Sequence, residues 1–276
     1  MRLLALAFVL LLLGGCTGDG GDGGGDEPAA SPESSAASSA PPPTAAAAPR
    51  PRDRACYDLT YEEAIAPTAA AGQVPCTQRH TSMTFAVGTI DALVDGHLLA
   101  VDSERVQQQV ASECPSRLGS FVGGSLADQR LSMLRSVWFT PSVEESDAGA
   151  SWYRCDVVAL ATDEELAPLT GKLAGVLDSD AGRQRYGMCG TAEPGTPDFS
   201  RVVCSARHTW RAIAVVPFEA GPYPGVAEVR EAGETPCQDA GADAAAGALD
   251  YQWGYEWPTK QQWAAGQTFG RCWAPD

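Results

Sequence analysis

Two short motifs of the sequence, Cys76-Thr-Gln-Arg-His80 and Cys204-Ser-Ala-Arg-His208, place a thiol and an imidazole four residues apart. Such pairs can share a zinc ion, because cysteine sulfur and histidine nitrogen are its usual protein ligands. A structural zinc site needs four ligands, however, and this sequence contains no Cys-x-x-Cys motif and only three histidines. We therefore predict no metal site and no cofactor.

The same motifs supply four candidate binding residues, Arg79, His80, Arg207 and His208. Each histidine is either a proton donor or ligand contact, or a packed side chain that hydrogen-bonds to the backbone beside a disulfide. Each arginine either contacts an anionic glycan or pairs with a local carboxylate at the surface. The sequence lacks the G-x-S-x-G, H-E-x-x-H and P-loop patterns, so we predict no catalytic residues.

A group of tryptophans near the end of the sequence is a second candidate site. Trp253, Trp257, Trp263 and Trp273 lie close together in the chain. Aromatic rings stack on ligands such as sugars, although core packing is the commoner role of tryptophan. We predict a binding patch that contains Trp253, Trp257 and Trp263.

Both motifs belong to a longer repeat. Apart from Cys16, the cysteines form two sets of four, and each set ends in a block with the same spacing. In the first copy, Pro141 precedes Gly149 by eight residues and Gly149 precedes Cys155 by six; the second copy has both spacings at its own Pro, Gly and Cys. The eight cysteines are Cys56, Cys76, Cys114, Cys155, Cys189, Cys204, Cys237 and Cys272.

An even number of cysteines in an exported chain indicates disulfides, and four cysteines allow three pairings in each copy. We favour first-to-fourth and second-to-third pairing. Cys56 and Cys155 both lie in strand-like segments and would be neighbours in one sheet, while Cys114 ends a predicted helix that would be joined to the strand beginning at Cys76. The predicted pairs are Cys56–Cys155, Cys76–Cys114, Cys189–Cys272 and Cys204–Cys237.

Hydrophobic periodicity predicts an α+β fold with two tandem, disulfide-stapled domains of β-β-α-β outline. Alternating residues indicate strands over 74–90 and 202–218, and helical spacing indicates a helix over 103–113. Further predicted elements are a helix over 126–137, a helix over 225–232 beside the alanine-rich segment 240–248, and a helix start at 162–165. The predicted domains are residues 55–165 and 186–276, joined by a connector over 166–185.

The amino-terminal residues predict export and a lipid anchor. Residues 1–15 combine a basic start, a short apolar run and small residues, as a secretory signal does. Leu13-Gly14-Gly15-Cys16 resembles a bacterial lipobox, which predicts lipidation of Cys16; the alternative is an ordinary signal cleaved elsewhere. Residues 16–54 are rich in Gly, Ala, Pro and Ser and predict a disordered tether. The predicted location is the outer face of the cytoplasmic membrane, reached through the lipid on Cys16.

The net charge of −16 argues against a nucleic-acid partner, because nucleic-acid binding depends on positive charge.

The motif residues resemble the septum formation domain family of exported or membrane-anchored actinobacterial proteins. The resemblance is carried by Cys76 through His80, by Trp263-Ala-Ala-Gly266 and by Arg271-Cys272, and it runs through both copies. The first copy departs from the pattern, because Ser146 stands where the second copy has Trp263. The resemblance implies a link to cell division and no established reaction.

The sequence therefore predicts a non-enzymatic, lipid-anchored protein of the cell envelope with a binding role associated with septum formation. Its partner would be an envelope protein or a wall glycan. Two alternatives remain open at this point: an enzyme that acts on cell-wall polymer, and a purely structural spacer. An enzyme would need His80 or His208 beside a carboxylate of perturbed pKa in a shared groove.

Overall fold

Helices and strands are mixed throughout this computed structural model, which describes residues 48–69 and 71–276. The α+β prediction is confirmed. The predicted signal, Cys16 and the tether up to residue 47 lie outside the described residues. Among the described residues, no helix combines the length and apolarity needed to cross a bilayer.

The first half of the folded chain forms one antiparallel sheet with the order β1-β2-β6-β5, and β7 pairs with the free part of β6. A small hairpin, β3-β4, follows β2. The strands are β1 (Cys56–Tyr57), β2 (Ser82–Thr89), β3 (Leu93–Val94), β4 (His97–Leu98), β5 (Leu134–Phe139), β6 (Trp152–Thr162) and β7 (Glu165–Ala167).

One long helix covers this sheet. It buries Val106, Val110 and Cys114, which recur every four residues on one helical face, and the helix contacts β5 and β6. It ends at Gly123, whose φ of 74° requires the left-handed conformations that glycine tolerates. The helices of the first half are α1 (Tyr61–Ile65), α2 (Glu104–Val122), α3 (Leu126–Arg130) and α4 (Val143–Asp147).

The second half forms another antiparallel sheet, with the order β11-β12-β10-β8-β9. Helix α7 covers it and contacts β10 and β12. The connector contributes a 3-10 turn (Val176–Asp178) and α5 (Asp180–Tyr186). The remaining elements are β8 (Met188–Gly190), β9 (Arg201–Val203), β10 (Trp210–Pro217), α6 (Val226–Glu231), α7 (Glu234–Ala244), β11 (Gly254–Glu256), α8 (Lys260–Ala264) and β12 (Phe269–Pro275).

The two sheets correspond strand by strand. The order β5-β6-β2-β1 of the first half matches β11-β12-β10-β8 of the second. Each central pair also shifts register at the same place, between Thr84 and Ala86 and between Ala212 and Ala214. The residue opposite this shift is a cysteine in both sheets, Cys155 or Cys272. The repeated sequence motifs therefore lie in or beside equivalent strands of the two halves.

The halves share a hydrophobic core. One buried cluster combines side chains of the first half with Met188, Trp210 and Trp273 of the second. Backbone bonds also join them, because Met133 N donates to Tyr186 O over 2.7 Å and Met188 N donates to the Leu131 carbonyl oxygen over 2.7 Å. The described residues belong to one compact unit. The predicted arrangement of two separate tandem domains is thus not confirmed.

Two predicted elements differ from the structure. Residues 126–137 divide into the short helix α3 and the strand β5, because β5 pairs with the edge of β6. Residues 162–165 turn into the β6-β7 hairpin instead of starting a helix, since Thr162 pairs with Glu165. The predicted helix 225–232 is α6, and the third cysteine of that copy lies in the next helix, α7.

All eight cysteines form disulfides, but the predicted pairing is wrong. The bonds are Cys56–Cys76, Cys114–Cys155, Cys189–Cys204 and Cys237–Cys272.

The physical reason is the position of Cys56 and Cys155 in the sheet. They share the sheet as expected, yet they pair with opposite sides of β2, at Met83 and Ala86. Two strands separated by a third lie about 9.6 Å apart, beyond the reach of about 7 Å for a disulfide. Cys56 instead meets Cys76 beside a backbone bridge to Val74, and Cys114 reaches Cys155 from the covering helix.

Candidate functional site

The two Cys-x-x-x-His motifs form the same turn in both halves. In the first half, the turn follows Val74, which forms a backbone bridge with Cys56, and it leads into β2. In the second half, the turn follows β9, which pairs with β8, and it leads into β10. His80 Nδ1 lies 2.9 Å from Gln78 O, and His208 Nδ1 lies 2.7 Å from Ala206 O. Because a carbonyl oxygen only accepts hydrogen bonds, Nδ1 carries the proton in both rings. One function of each motif histidine is therefore to close its own turn.

The other ring nitrogen distinguishes the two histidines. His208 Nε2 lies 2.9 Å from Asp276 Oδ2, which also accepts from Arg211 Nε over 2.8 Å. The Arg211 hydrogen bond lowers the pKa of Asp276, opposed by partial burial, and the His208 contact lowers it further. His80 is buried, and its Nε2 has no hydrogen-bond partner among the described residues. The carboxylate that an acid–base pair requires therefore accompanies only His208.

The arginines of the motifs lie at the surface. Arg79 is exposed, and its Nε lies 3.6 Å from Asp58 Oδ1. It lines a shallow cavity together with Asp58, Glu62, Glu164 and Glu165. An excess of carboxylates repels an anionic glycan, so this surface does not support the glycan-binding alternative for Arg79. Arg207 is also exposed.

One cluster of metal-ligand types occurs among the described residues, formed by Cys189, His208 and Asp276. Their ligand atoms all lie within 4.8 Å of one another. Cys189 is bonded to Cys204, however, and a disulfide sulfur is not the thiolate that binds zinc. With that bond intact, the cluster offers two ligand atoms where a structural zinc site uses four.

The structure separates the tryptophans of the predicted patch. Trp263 is only 8% exposed, because its ring packs against Phe218 at 5.7 Å and Tyr223 at 5.6 Å. Trp253 and Trp257 are half-buried. A continuous surface of the three predicted tryptophans is therefore not formed, since Trp263 contributes core packing.

Trp263 belongs to a short capped helix that recurs in both halves. In α4, Ser142 and Glu145 form a reciprocal capping box, and in α8, Thr259 and Gln262 form the same arrangement. Each helix is followed by a glycine with positive φ, at 99° and 92°. The position that holds Trp263 in α8 holds Ser146 in α4.

A groove opens beside Ser146 in the first half. Its cavity volume is about 490 Å³, and Ile90, Leu98, Val143 and Ala150 are among the residues that line it. Leu98 is 81% exposed and Val143 is 44% exposed, so the rim presents apolar side chains to solvent. We call this cavity the Ser146 groove. Contiguous exposed apolar surface is typical of interaction sites.

Two charged clusters were not predicted from the sequence. In the first, Arg154 Nε lies 3.1 Å from Asp156 Oδ1, and both residues are buried. Ser82 and Thr84 hydroxyls each donate to the Asp156 carboxylate over 2.8 Å. Burial raises the pKa of Asp156, and the Arg154 charge opposes that shift. The guanidinium also lies 3.8 Å from the ring centre of Tyr57, so this cluster has a structural role in the core.

In the second cluster, two arginines of the second half, Arg201 and Arg271, share the carboxylate of Glu256. Arg201 donates to both oxygens of Glu256, and Arg271 Nη1 lies 3.7 Å from Oε2. Burial lowers the pKa of Arg271 to about 10 and Glu256 opposes this, while burial also lowers the pKa of Arg135 to about 10. Arg271 Nε donates to Arg130 O of the first half over 3.2 Å. The repeated Arg-Cys dipeptide, Arg154-Cys155 and Arg271-Cys272, was the available sequence signal for both clusters.

The chain was compared with family models, curated proteins and solved structures. Neither the curated proteins nor the solved structures contain a significant match to this chain. The model of the family described as Septum formation matches residues 54–272, in a single stretch that runs through both halves and does not resolve two copies. Since this stretch covers most of the 276 residues, the chain belongs to the septum formation family.

Proposed function

We propose that this chain is a non-enzymatic, lipid-anchored protein of the cell envelope that binds another envelope protein through its first half. Family membership indicates a role connected with cell division. Four disulfides indicate an oxidising location outside the cytoplasm. The binding role, the lipid and the absence of catalysis are the parts that we propose.

The observation that carries the binding role is the Ser146 groove. Monomeric proteins rarely leave apolar side chains such as Leu98 and Val143 exposed around a cavity unless the surface has a partner. A pure spacer would not need such a surface. The corresponding place in the second half is closed by Trp263.

The arrangement of the histidines supports a non-enzymatic role. Nucleophilic catalysis requires a base within hydrogen-bond reach of a nucleophile. Nδ1 of each motif histidine is engaged by a backbone carbonyl, and Nε2 of His208 is engaged by Asp276. The alternative of an enzyme acting on wall polymer predicts that the purified chain releases soluble fragments from isolated cell wall.

The lipid anchor is supported by the lipobox-like segment Leu13-Gly14-Gly15-Cys16 and the tether that follows. Two or more acyl chains hold a protein stably on a membrane. We also propose that the halves arose by internal duplication, which the matching strand order, register shifts and disulfides support.

Site-specific crosslinking in living cells tests the proposal. A photoreactive amino acid replaces Leu98 at the groove or, as the matched control, Leu249, which is fully exposed in the second half. We expect one envelope protein to crosslink at position 98 and not at position 249, and the crosslink to disappear when Ser146→Trp is added. A glycan adduct, or no adduct at position 98, contradicts protein binding, and the second result favours the spacer.

The anchor is tested separately. Cys16→Ser is expected to move the protein from the membrane fraction to the soluble fraction or the medium. Retention of Cys16→Ser on the membrane would contradict lipid anchoring.

A further inference from the structure

The Ser146 groove lies beside the first sheet at the place that corresponds to the site of the Trp263 ring beside the second. We call the site that the Trp263 ring occupies, between Phe218 and Tyr223, the Trp263 pocket. Ile90 follows β2 and its N–H donates to Ser151 O over 2.7 Å, and Phe218 follows β10 and donates to Thr268 O over 2.9 Å. Together with the matching capping boxes of α4 and α8, these bonds place the central strand and the short helix in the same way around both places. The remaining wall differs, because residues 98–101 form it in the first half and the loop with Gly221 and Tyr223 forms it in the second.

In the second half, an indole fills this place. The Trp263 ring packs against Phe218 and Tyr223, and its Nε1 donates to Gly221 O over 2.7 Å. The walls of this kind of pocket therefore accommodate a flat aromatic ring, and a backbone carbonyl is available to its N–H.

In the first half, none of the described residues that line the groove supplies such a ring. Ser146 stands at the Trp263 position and Ile90 at the Phe218 position, so both large side chains are replaced by smaller ones. The cavity of about 490 Å³ remains, and it is large enough to hold a bulky side chain with its neighbours. The first half thus has the pocket, but its lining residues include no side chain equivalent to the Trp263 indole.

Among the residues that line the groove, the charged side chain is acidic, Asp147. The two segments that supply the lining, residues 90–102 and 142–151, contain no Lys or Arg. Their carboxylates are Asp91, Asp95, Asp102, Glu144, Glu145 and Asp147. Such a rim favours cationic residues on whatever enters the groove and disfavours acidic wall polymer.

We infer that the Ser146 groove receives an aromatic side chain, with tryptophan as the best fit, from a partner-protein segment in which lysine or arginine flanks the aromatic residue. This inference rests on the proposed function, because it names the chemistry of the envelope protein that the chain would bind. Tryptophan is also among the residues that most often dominate binding energy when they enter a pocket.

Titration of the purified full-length chain with blocked tripeptides tests the inference. The probes are acetyl-Lys-Trp-Lys-amide, acetyl-Lys-Ala-Lys-amide and acetyl-Glu-Trp-Glu-amide, and binding is followed by NMR or calorimetry. We expect the Lys-Trp-Lys probe to bind at least about tenfold more tightly than either of the others. Equal binding of the three probes, or stronger binding of an N-acetylglucosamine tetramer, would overturn the inference.

Variants locate the binding to the groove. Ser146→Trp is expected to weaken binding of the Lys-Trp-Lys probe at least about tenfold, because it supplies the missing ring from within the chain. The matched control is Ala264→Trp, which adds an indole at an exposed position of α8 and is expected to leave affinity unchanged. Leu98→Lys changes an exposed rim residue without entering the core, and it is expected to weaken binding, whereas Leu249→Lys is not. Unchanged affinity in both groove variants contradicts the inference.

The inference and the proposed function fail in different ways. If the probe binds as expected and Ser146→Trp leaves the envelope crosslink at position 98 unchanged, the pocket is an aromatic site but not the partner site. If a protein crosslinks at position 98 and the three tripeptides bind with equal affinity, the binding function is supported. The inference that an aromatic side chain enters the groove is then wrong.

Discussion

The His208 imidazole and the Asp276 carboxylate lie 2.9 Å apart, which ties the last strand to the motif turn of the second half. The hydrogen bond from Arg211 is the main reason that the pKa of Asp276 is lowered, and partial burial opposes it. A carboxyl group with a lowered folded-state pKa stabilises the fold above its unfolded value of about 3.9, and the contribution is lost as the pH falls through the folded value.

Asp276→Asn is therefore expected to reduce the free energy of unfolding at neutral pH. The loss should stay below about 1 kcal/mol, because the side chain is 35% exposed and solvent screens the contact. Urea unfolding at about pH 7 and about pH 2.5 measures it, and the difference from wild type should shrink at the lower pH. A difference of the same size at both pH values would contradict the assignment; Asp250→Asn, at an exposed position, is the control.

The repeated sequence motifs predicted the equivalent strands of the two halves better than the identity of individual elements. The alternating residues after His80 and His208 predicted the equivalent strands β2 and β10. The Pro–Gly–Cys blocks that occur in both halves predicted the equivalent strands β6 and β12. Residues 134–137 were predicted as the end of a helix, because Leu131, Leu134 and Val137 have helical spacing. The neighbouring edge of β6 decides otherwise, and sequence-local periodicity contains no information about that edge.

The candidate site was harder to predict for similar reasons. Trp263 carries the same sequence signal whether it is exposed or buried, and only the loop containing Phe218 and Tyr223 determines that it is buried. The groove in the first half exists because Ser146 is small. That effect is recognised only when α4 is compared with α8, where Trp263 occupies the same position. The buried pair Arg154 and Asp156 contradicts the usual exposure of charged residues.

Peptide mapping without reduction is expected to find the four pairs of the structure. Partial reduction and alkylation should label Cys76 before Cys114, because Cys76 is exposed whereas Cys114 and Cys155 are fully buried. A Cys56–Cys155 peptide would contradict the fold around β2.

The two bonds of the first half should also differ in their contribution to stability. Removing Cys114–Cys155, which spans 41 residues, is expected to cost roughly 4 kcal/mol in the chain-entropy model, and removing Cys56–Cys76, which spans 20, roughly 3 kcal/mol. Urea unfolding of the two double-alanine variants measures the difference. A larger loss for the shorter loop would show that strain or packing outweighs loop entropy.

Arg154→Met is expected to destabilise the fold by about 3 to 5 kcal/mol at neutral pH, since it leaves the Asp156 carboxylate buried without its cation. Burial already raises the pKa of Asp156, and loss of Arg154 raises it further. A raised carboxyl pKa reduces stability above the unfolded value, so the variant should regain stability as the pH falls from about 7 toward about 4. Adding Asp156→Asn should abolish that recovery, and its persistence would point to another group.

Trp263→Ala is expected to reduce the free energy of unfolding by about 3 to 5 kcal/mol, because it empties a pocket in the second half. Ser146→Trp should leave stability unchanged or raise it, because its ring enters space that already exists. Trp257→Ala, at a half-buried position, is the comparison and should cost less than Trp263→Ala. Similar costs for Trp263→Ala and Ser146→Trp would contradict the correspondence of the two pockets.

Every disulfide of the described chain joins cysteines that are consecutive in the sequence. A polypeptide that crosses a membrane amino terminus first presents its cysteines in that same order. With Cys16 occupied by the proposed lipid, an oxidase that links each free cysteine to the next one to emerge produces all four native bonds directly, and the slow exchange of wrong bonds is not required. The covalent framework can thus be complete in the first half while the second is still being translocated.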